Sequence, residues 1–289
     1  GNDQHDAHEF MQAFLDIIDK ECKRFHNTIA KGARSLTRKP WNASDVNNTP
    51  KNVFTSVSSL FAGNLRSVLM CDECGYKRSH LEPFLNVSLS LPTAKASGGS
   101  RAGNRRPSSR IDVRSCIDLF SEAEPLSDRF FCPWCKKKTK THKQHTFAKL
   151  PTVLCLHLKR FCATTNKKID DQVMYPSTLD MGPYLPHWRE IEQTGVATST
   201  TAKSTSSKSK KNKVKNSDGL IYPNMLYDLC GTINHSGTLN QGHYVANVKV
   251  DKDWYSCNDT EVNRVLKEAT EKELNKSEEV YMLFYQRRL

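Results

Sequence analysis

The stretch "NQGHYVANVKVDKDWYSCNDTEV", Asn240 to Val262, decides the fold. It sets a histidine directly after a glycine at the threshold of one strand, and Asn-Asp at the far end of a second. Two hairpin strands of this length bring His243 and Asn258 side by side. An imidazole whose tautomer is fixed by a second group makes a general base near neutral pH. The amide oxygen of Asn258 can accept from one ring nitrogen and leave the other free for a proton. Such a pair serves a nucleophile, and in Cys–His–Asn sites the nucleophile is a thiolate. Spacing alone leaves an ordinary hairpin His–Asn contact as the stronger alternative.

Outward from this hairpin the C-terminal part reads mostly as strands: "YDLCGTINHSG" before it and "VYMLFYQRR" after it, with a helix expected at "VLKEATEKEL". Upstream, "KTHKQHTFAKL" and "TVLCLHLKRF" read as strands, "VRSCIDLFSEAE" as a helix, and "SLFAGNLRSVLMCDEC" and "HLEPFLNVSLSLP" as strands. Leu85, Val87, Leu89 and Leu91 carry the period-two pattern. At the N-terminus, Phe10, Met11, Phe14, Leu15, Ile17 and Ile18 recur at helical spacing behind an Asp6-x-x-Glu9 cap. Strands in series and not alternating with helices predict an α+β fold.

The net charge of +12 points to an acidic partner, but its location weakens that reading. Segments 93–110 and 199–217 hold eleven basic and no acidic residues, all within Ser/Gly/Lys-rich sequence that cannot bury a core. We therefore expect disordered insertions at about 27–52, 93–110 and 187–218, with nucleic-acid contact confined to the basic loops. No run approaches the roughly 18 apolar residues of a membrane helix, so no membrane partner is expected. The chain starts at "GNDQHDAHEF", already in helix-forming sequence without an initiator Met or signal peptide, and is read as truncated there.

Ten cysteines without a secretory signal argue for reduced thiols and metal binding. Cys71-x-x-Cys74 and Cys132-x-x-Cys135 form two knuckles whose thiolates complete a tetrahedral S₄ shell suited to structural zinc. Two unrelated CxxC turns, or a redox pair, are the alternatives. A redox motif normally opens a helix, and both of these lie between strand-like segments.

"QHDAHEF" at 4–10, "LHLKRF" at 156–161, "YPSTLDM" at 175–181, "INHSGTLNQGHYVANV" at 233–248, "WYSCND" at 254–259 and "YMLFYQR" at 281–287 follow one another in an order that resembles the ubiquitin-specific proteases, cysteine-dependent deubiquitinating enzymes. "LPTVLCLHLKRF" and "YPSTLDMGPYL" resemble in particular the branch found in the SAGA co-activator's histone-deubiquitinating module. The resemblance implies a papain-like palm and thumb with a zinc-binding, β-rich fingers subdomain at about 60–150. Residues 1–289 would form one such catalytic domain, truncated at its N-terminus.

The resemblance assigns His243 as catalytic base and Asn258 as its orienter, with Asp259 as an acidic neighbour. It assigns Asp6 to the arginines of the ubiquitin tail, His235 to a loop beside the cleft, and Gly242 to close approach of the threaded tail. The implied partners are ubiquitin, ubiquitinated proteins such as histones, and subunits of a SAGA-type module. The implied location is the nucleus, otherwise the cytoplasm. The family's Gly-Asn-x-Cys box has no counterpart among the ten cysteines, so the fragment is expected to be inactive alone. A non-catalytic ubiquitin-binding scaffold is the principal alternative, and a zinc-ribbon nucleic-acid binder a third class. Against the latter, no aromatic residues interleave the basic runs.

Overall fold

A computed structural model describes residues 6–36, 57–92, 111–162, 167–185, 213–215, 221–223, 225–238, 241–265 and 276–288. The chain opens with α1 (Ala7–Leu36). Asp6 caps it: one carboxylate oxygen accepts from the His8 amide at 2.7 Å. The helix runs to Leu36, past the end of the expected periodic stretch at Phe25, so the insertion expected from residue 27 is helical over its first third. No proline interrupts the sequence before Pro40, which leaves the backbone free to continue. A short helix α2 (Val57–Phe61) follows, where a strand is expected from sequence.

The next section builds two sheets. β1 (Gly63–Cys71) and β2 (Lys77–Phe84) form a hairpin, and β3 (Val87–Ser90) leaves it for the second sheet. The continuous strand expected across "HLEPFLNVSLSLP" is therefore two strands in different sheets. After the undescribed segment 93–110 come β4 (Ile111–Asp112), α3 (Val113–Ser121) and β5 (Glu124–Pro125). Asp112 caps α3 by accepting from the Arg114 amide. A knuckle hairpin β6 (Phe130–Cys132) and β7 (Lys137–Thr139) leads into β8 (Thr141–Lys149). β1 sits between β2 and β8, with β5 at the far edge. This four-stranded sheet, called finger-like below, lies within residues 63–149.

The larger sheet is centred on β9 (Val153–Lys159), whose residues Leu154 to Leu158 are all buried. Such a run needs cover on both faces, which explains why it lacks alternation. Short pairs follow: β10 (Phe161–Cys162) with β11 (Lys167–Lys168), then β12 (Val173–Met174) and β13 (Thr178–Asp180). Within the expected basic insertion, β14 (Lys213–Lys215) pairs with β15 (Ile221–Pro223), which corrects that part of it; residues 186–212 lie outside the described set.

The C-terminal strands β16 (Leu226–Gly237), β17 (Gly242–Val250) and β18 (Asp253–Asn258) fall where the sequence places them. β19 (Glu261–Val265) adds an unforeseen edge strand, and the helix expected from Val265 onward lies largely outside the described residues. β20 (Lys276–Ser277) and β21 (Val280–Arg287) close the chain. The order is β19-β18-β17-β16-β21-β9-β3, with β13 also paired to β16. Beneath it lies the main core, including Leu89, Val113, Ile117, Phe147, Leu156, Leu179 and Tyr285.

The start of α1 docks on this sheet. Tyr281 donates its hydroxyl to the second carboxylate oxygen of Asp6 at 2.6 Å. His8 stacks on His157 with centroids 4.3 Å apart and hydrogen-bonds the Asn86 side chain at 2.7 Å. Among the described residues no helix is long and apolar enough to cross a membrane.

Candidate functional site

The register of β17 against β18 pairs Ala246 with Cys257 and Val250 with Asp253. One further step sets Asn258 across from Val245, and residues of one strand two apart share a face. His243 is thus the diagonal neighbour of Asn258 on the same face, within reach of a long side chain. The contact forms: His243 Nε2 donates to Asn258 Oδ1 at 2.5 Å. That tautomer leaves Nδ1 as the free base, and the imidazole is exposed.

Asp259 occupies the two-residue turn between β18 and β19 with φ 52°, a left-handed conformation that aspartate tolerates. Asn258, one residue earlier and still in the strand, meets the imidazole.

His235 and Gly242 lie on the neighbouring strands β16 and β17, and Asp6 approaches from the start of α1. His235 is opposite Tyr244 and lies within β16, not on a loop; it is 2% exposed. Its ring is 4.6 Å from Tyr244 and 5.4 Å edge-on from Phe161. Burial, aided by the nearby Lys168 ammonium, pushes its pKa down and favours the neutral ring. Gly242 has a structural reason to be glycine: a Cβ there would run into the His235 imidazole and the Ser236 carbonyl oxygen. Asp6 is committed on both oxygens, one to the helix cap and one to Tyr281. Sequence reasoning identified Asp6 but missed Tyr281, whose only visible signal was its place at the start of a buried strand.

The knuckles converge at the tip of the smaller sheet. Cys71 ends β1, Cys132 ends β6, and all four sulfurs lie within 4.8 Å of one another. Cys71 and Cys135 are 3.9 Å apart, and Cys74 and Cys132 are 3.6 Å apart. A tetrahedral zinc with Zn–S bonds of about 2.3 Å needs sulfur–sulfur edges of about 3.8 Å, so the four residues fit that ion.

Thr139 is buried and its hydroxyl lies 3.2 Å from the Cys71 sulfur. This contact and neighbouring backbone amides hold the Cys71 thiol down to about 6. Cys135, crowded first by the Cys74 sulfur and then by burial, is pushed up to about 12. Four thiolates cannot gather here without a cation to neutralise them. The sequence spacing gave no hint of Thr139.

The model of the family described as ubiquitin carboxyl-terminal hydrolase matches residues 1–285. Similar curated proteins include ubiquitin carboxyl-terminal hydrolase 22-A of Xenopus laevis, 31% identical over 299 residues covering 99% of this chain and 50% of that protein. Ubiquitin carboxyl-terminal hydrolase 3 of Homo sapiens is 31% identical over 294 residues, covering 99% and 49%. Among solved structures, the SAGA Ubp8/Sgf11/Sus1/Sgf73 DUB module bound to ubiquitin aldehyde aligns over 100% of this chain and 50% of the matched chain, with a TM-score of 0.63 and 26% identity. The chain spans about half the length of the curated relatives it matches.

Proposed function

Because the chain belongs to the ubiquitin carboxyl-terminal hydrolase family, we propose that its larger sheet carries the base of a thiol-dependent deubiquitinase. The observation that carries this reading is the His243–Asn258 contact on an exposed sheet face. In the reaction, Nδ1 of His243 takes the proton of a cysteine thiol, and the thiolate attacks the carbonyl carbon of ubiquitin's C-terminal glycine. The tetrahedral adduct collapses as His243 returns that proton to the leaving lysine amine. Water, deprotonated by the same imidazole, then hydrolyses the thioester and frees ubiquitin and the thiol. Asn258 holds the ring in the required tautomer throughout. Asp259 is the acidic neighbour of this pair; Asp6 and Gly242 are assigned to the approach of the ubiquitin tail, whereas the buried His235 supports that edge from beneath and does not itself meet the tail.

Among the nine cysteines whose side chains are described, none is placed to be that thiol. Four belong to the knuckles, Cys116 and Cys155 are buried, and Cys230 donates to the Phe284 carbonyl. Cys257 points to the face opposite Asn258, and Cys22 sits within α1. On this reading the chain supplies the base and its orienter, and we expect it to hydrolyse no fluorogenic ubiquitin substrate alone. The same placement favours a second reading for the isolated chain, a ubiquitin-binding scaffold; ubiquitin binding without turnover distinguishes the two. Structural zinc on Cys71, Cys74, Cys132 and Cys135 would keep the finger-like sheet in shape, a closed shell without a catalytic position.

The matched SAGA module, bound to ubiquitin aldehyde, supports ubiquitin and subunits of such a module as partners; ubiquitinated histone as the substrate class and the nucleus as the location are carried by analogy with that branch of the family. The deciding experiment is Asn258→Ala in the full-length protein. We expect kcat to fall at least about tenfold while KM holds; unchanged turnover removes the assignment.

A further inference from the structure

We propose that Arg160 is the positioning residue of the His243 hairpin: its guanidinium fixes the two loops that grip the His235 backbone, and His235 in turn sets where residues 242–243 lie. The proposal rests on the reading of His243 as the base.

Arg160 follows the last residue of β9 and is 0% exposed. Its donors meet four backbone carbonyls. Nε reaches Val280 O at 2.6 Å and Nη2 reaches Ser277 O at 3.1 Å. Nη1 reaches Ile169 O at 2.8 Å and Asp171 O at 3.0 Å. The Ile169 amide returns a bond to the Arg160 carbonyl at 2.7 Å. Burial lowers the guanidinium pKa, yet a guanidinium remains charged inside proteins. A buried cation surrounded by neutral carbonyls is costly unless its geometry is well matched. A planar fork suits this array, whereas a lysine nitrogen cannot span four acceptors on two segments.

The two segments are 169–171 and 277–280. Beside the first, Lys168 Nζ donates to the His235 carbonyl at 2.7 Å. Within the second, the Glu279 carbonyl accepts from the His235 amide at 2.7 Å. Both backbone groups of His235 are thus held by the loops that Arg160 ties down. Phe161, next to Arg160, packs edge-on against the His235 ring. That ring occupies the space a Gly242 side chain would need, so it defines how closely the end of β17 can approach β16. His243 is the next residue along. Its bond to Asn258 tolerates little displacement, and a misplacement of roughly 1 Å at a reacting group can cost about 100-fold in rate.

The test uses the full-length protein with Arg160→Lys and, separately, Lys168→Met, which leaves the guanidinium in place and removes one grip on His235. Steady-state kcat and KM on a fluorogenic ubiquitin substrate, thermal unfolding, and amide hydrogen exchange at His235 are measured together. We expect KM to stay within about twofold, kcat to fall by roughly 10- to 100-fold, and exchange at His235 to accelerate. Ile117→Val, a core change in α3 remote from the hairpin, should lower the melting temperature without this kcat loss. If both variants melt earlier but keep kcat, Arg160 is merely structural and the proposal is overturned. If Arg160→Lys does not fold, the Lys168→Met result decides alone. If the parent protein shows no hydrolysis, the deubiquitinase reading fails, while unaltered exchange at His235 in Lys168→Met would separately overturn the clamp.

Discussion

The two sheets of this protein hold themselves together by different physics. In the larger one, β9 and most of β21 are buried, and of their buried residues only His157 is not apolar or aromatic. In the finger-like sheet β2 is exposed nearly along its length, with Leu81 58% exposed. Toward its tip Phe131 and Trp134 are 64% and 76% exposed. A sheet with so little apolar burial cannot offset the entropy of ordering its own chain. A metal ion held by the four sulfurs at its far end would supply the cross-link such a sheet needs. The comparison teaches that the larger sheet rests on apolar burial throughout, whereas the finger-like sheet joins the core only at its base, through residues such as Leu65 and Phe147, and gathers four cysteines that could hold a metal ion at its tip.

Removing metal is the strongest way to break the comparison. Structural zinc contributes on the order of 10 kcal/mol in small zinc modules at neutral pH. We expect Cys132→Ser, or a strong chelator, to abolish dispersed amide signals from β1, β2, β6 and β7 while those of β9 and β21 persist. Heteronuclear NMR reads both sets at once; simultaneous loss of both would show that the two sheets do not differ in this way.

The converse experiment touches the apolar half. Leu156→Ala, at a site with no solvent exposure, should cost about 2–5 kcal/mol in urea unfolding, whereas Leu81→Ser should stay within about 0.5 kcal/mol. Similar costs at the two positions would erase the distinction.

Acid should act on the larger sheet through His157. Burial, with His8 beside it, pushes this imidazole down to about 4, against roughly 6.5 in an unfolded chain. Above about pH 6.5 both states are neutral and nothing is lost. As pH falls from about 6.5 toward 4, the unfolded chain binds a proton that the folded one refuses, so stability drops, by up to on the order of 3 kcal/mol. His157→Gln should flatten that part of the profile, measured as urea midpoints at pH 7 and 4.5; an unchanged slope would assign the acid sensitivity elsewhere.

What the sequence made legible follows the same divide. β16, β17, β18 and β21 were readable because each is long, carries β-branched or aromatic residues, and is bounded by turns. The His243–Asn258 pair was readable because hairpin register fixes which side chains share a face. Helix α1 past Phe25 was not, since "HNTIAKGARSL" has no apolar stripe to extend the pattern, and helix continuation there is a matter of backbone propensity. The break between β2 and β3 was hidden because the alternation of Leu85, Val87 and Leu89 runs through the site where the strand changes sheets. Strands as short as β4, β6 and β12 exist only because distant partners pair with them. Arg160 reads in "LHLKRF" as one more surface charge; its burial becomes visible only when carbonyls from residues 169–171 and 277–280 arrive around it.

The carboxylate of Asp6 binds the start of α1 with one oxygen and the Tyr281 hydroxyl, 275 residues away, with the other. A helical turn forms locally within microseconds, but closing a loop of that size must wait until the intervening strands have assembled. The capped helix should therefore exist early and latch onto the sheet late, making this small tether a marker for the last step of folding.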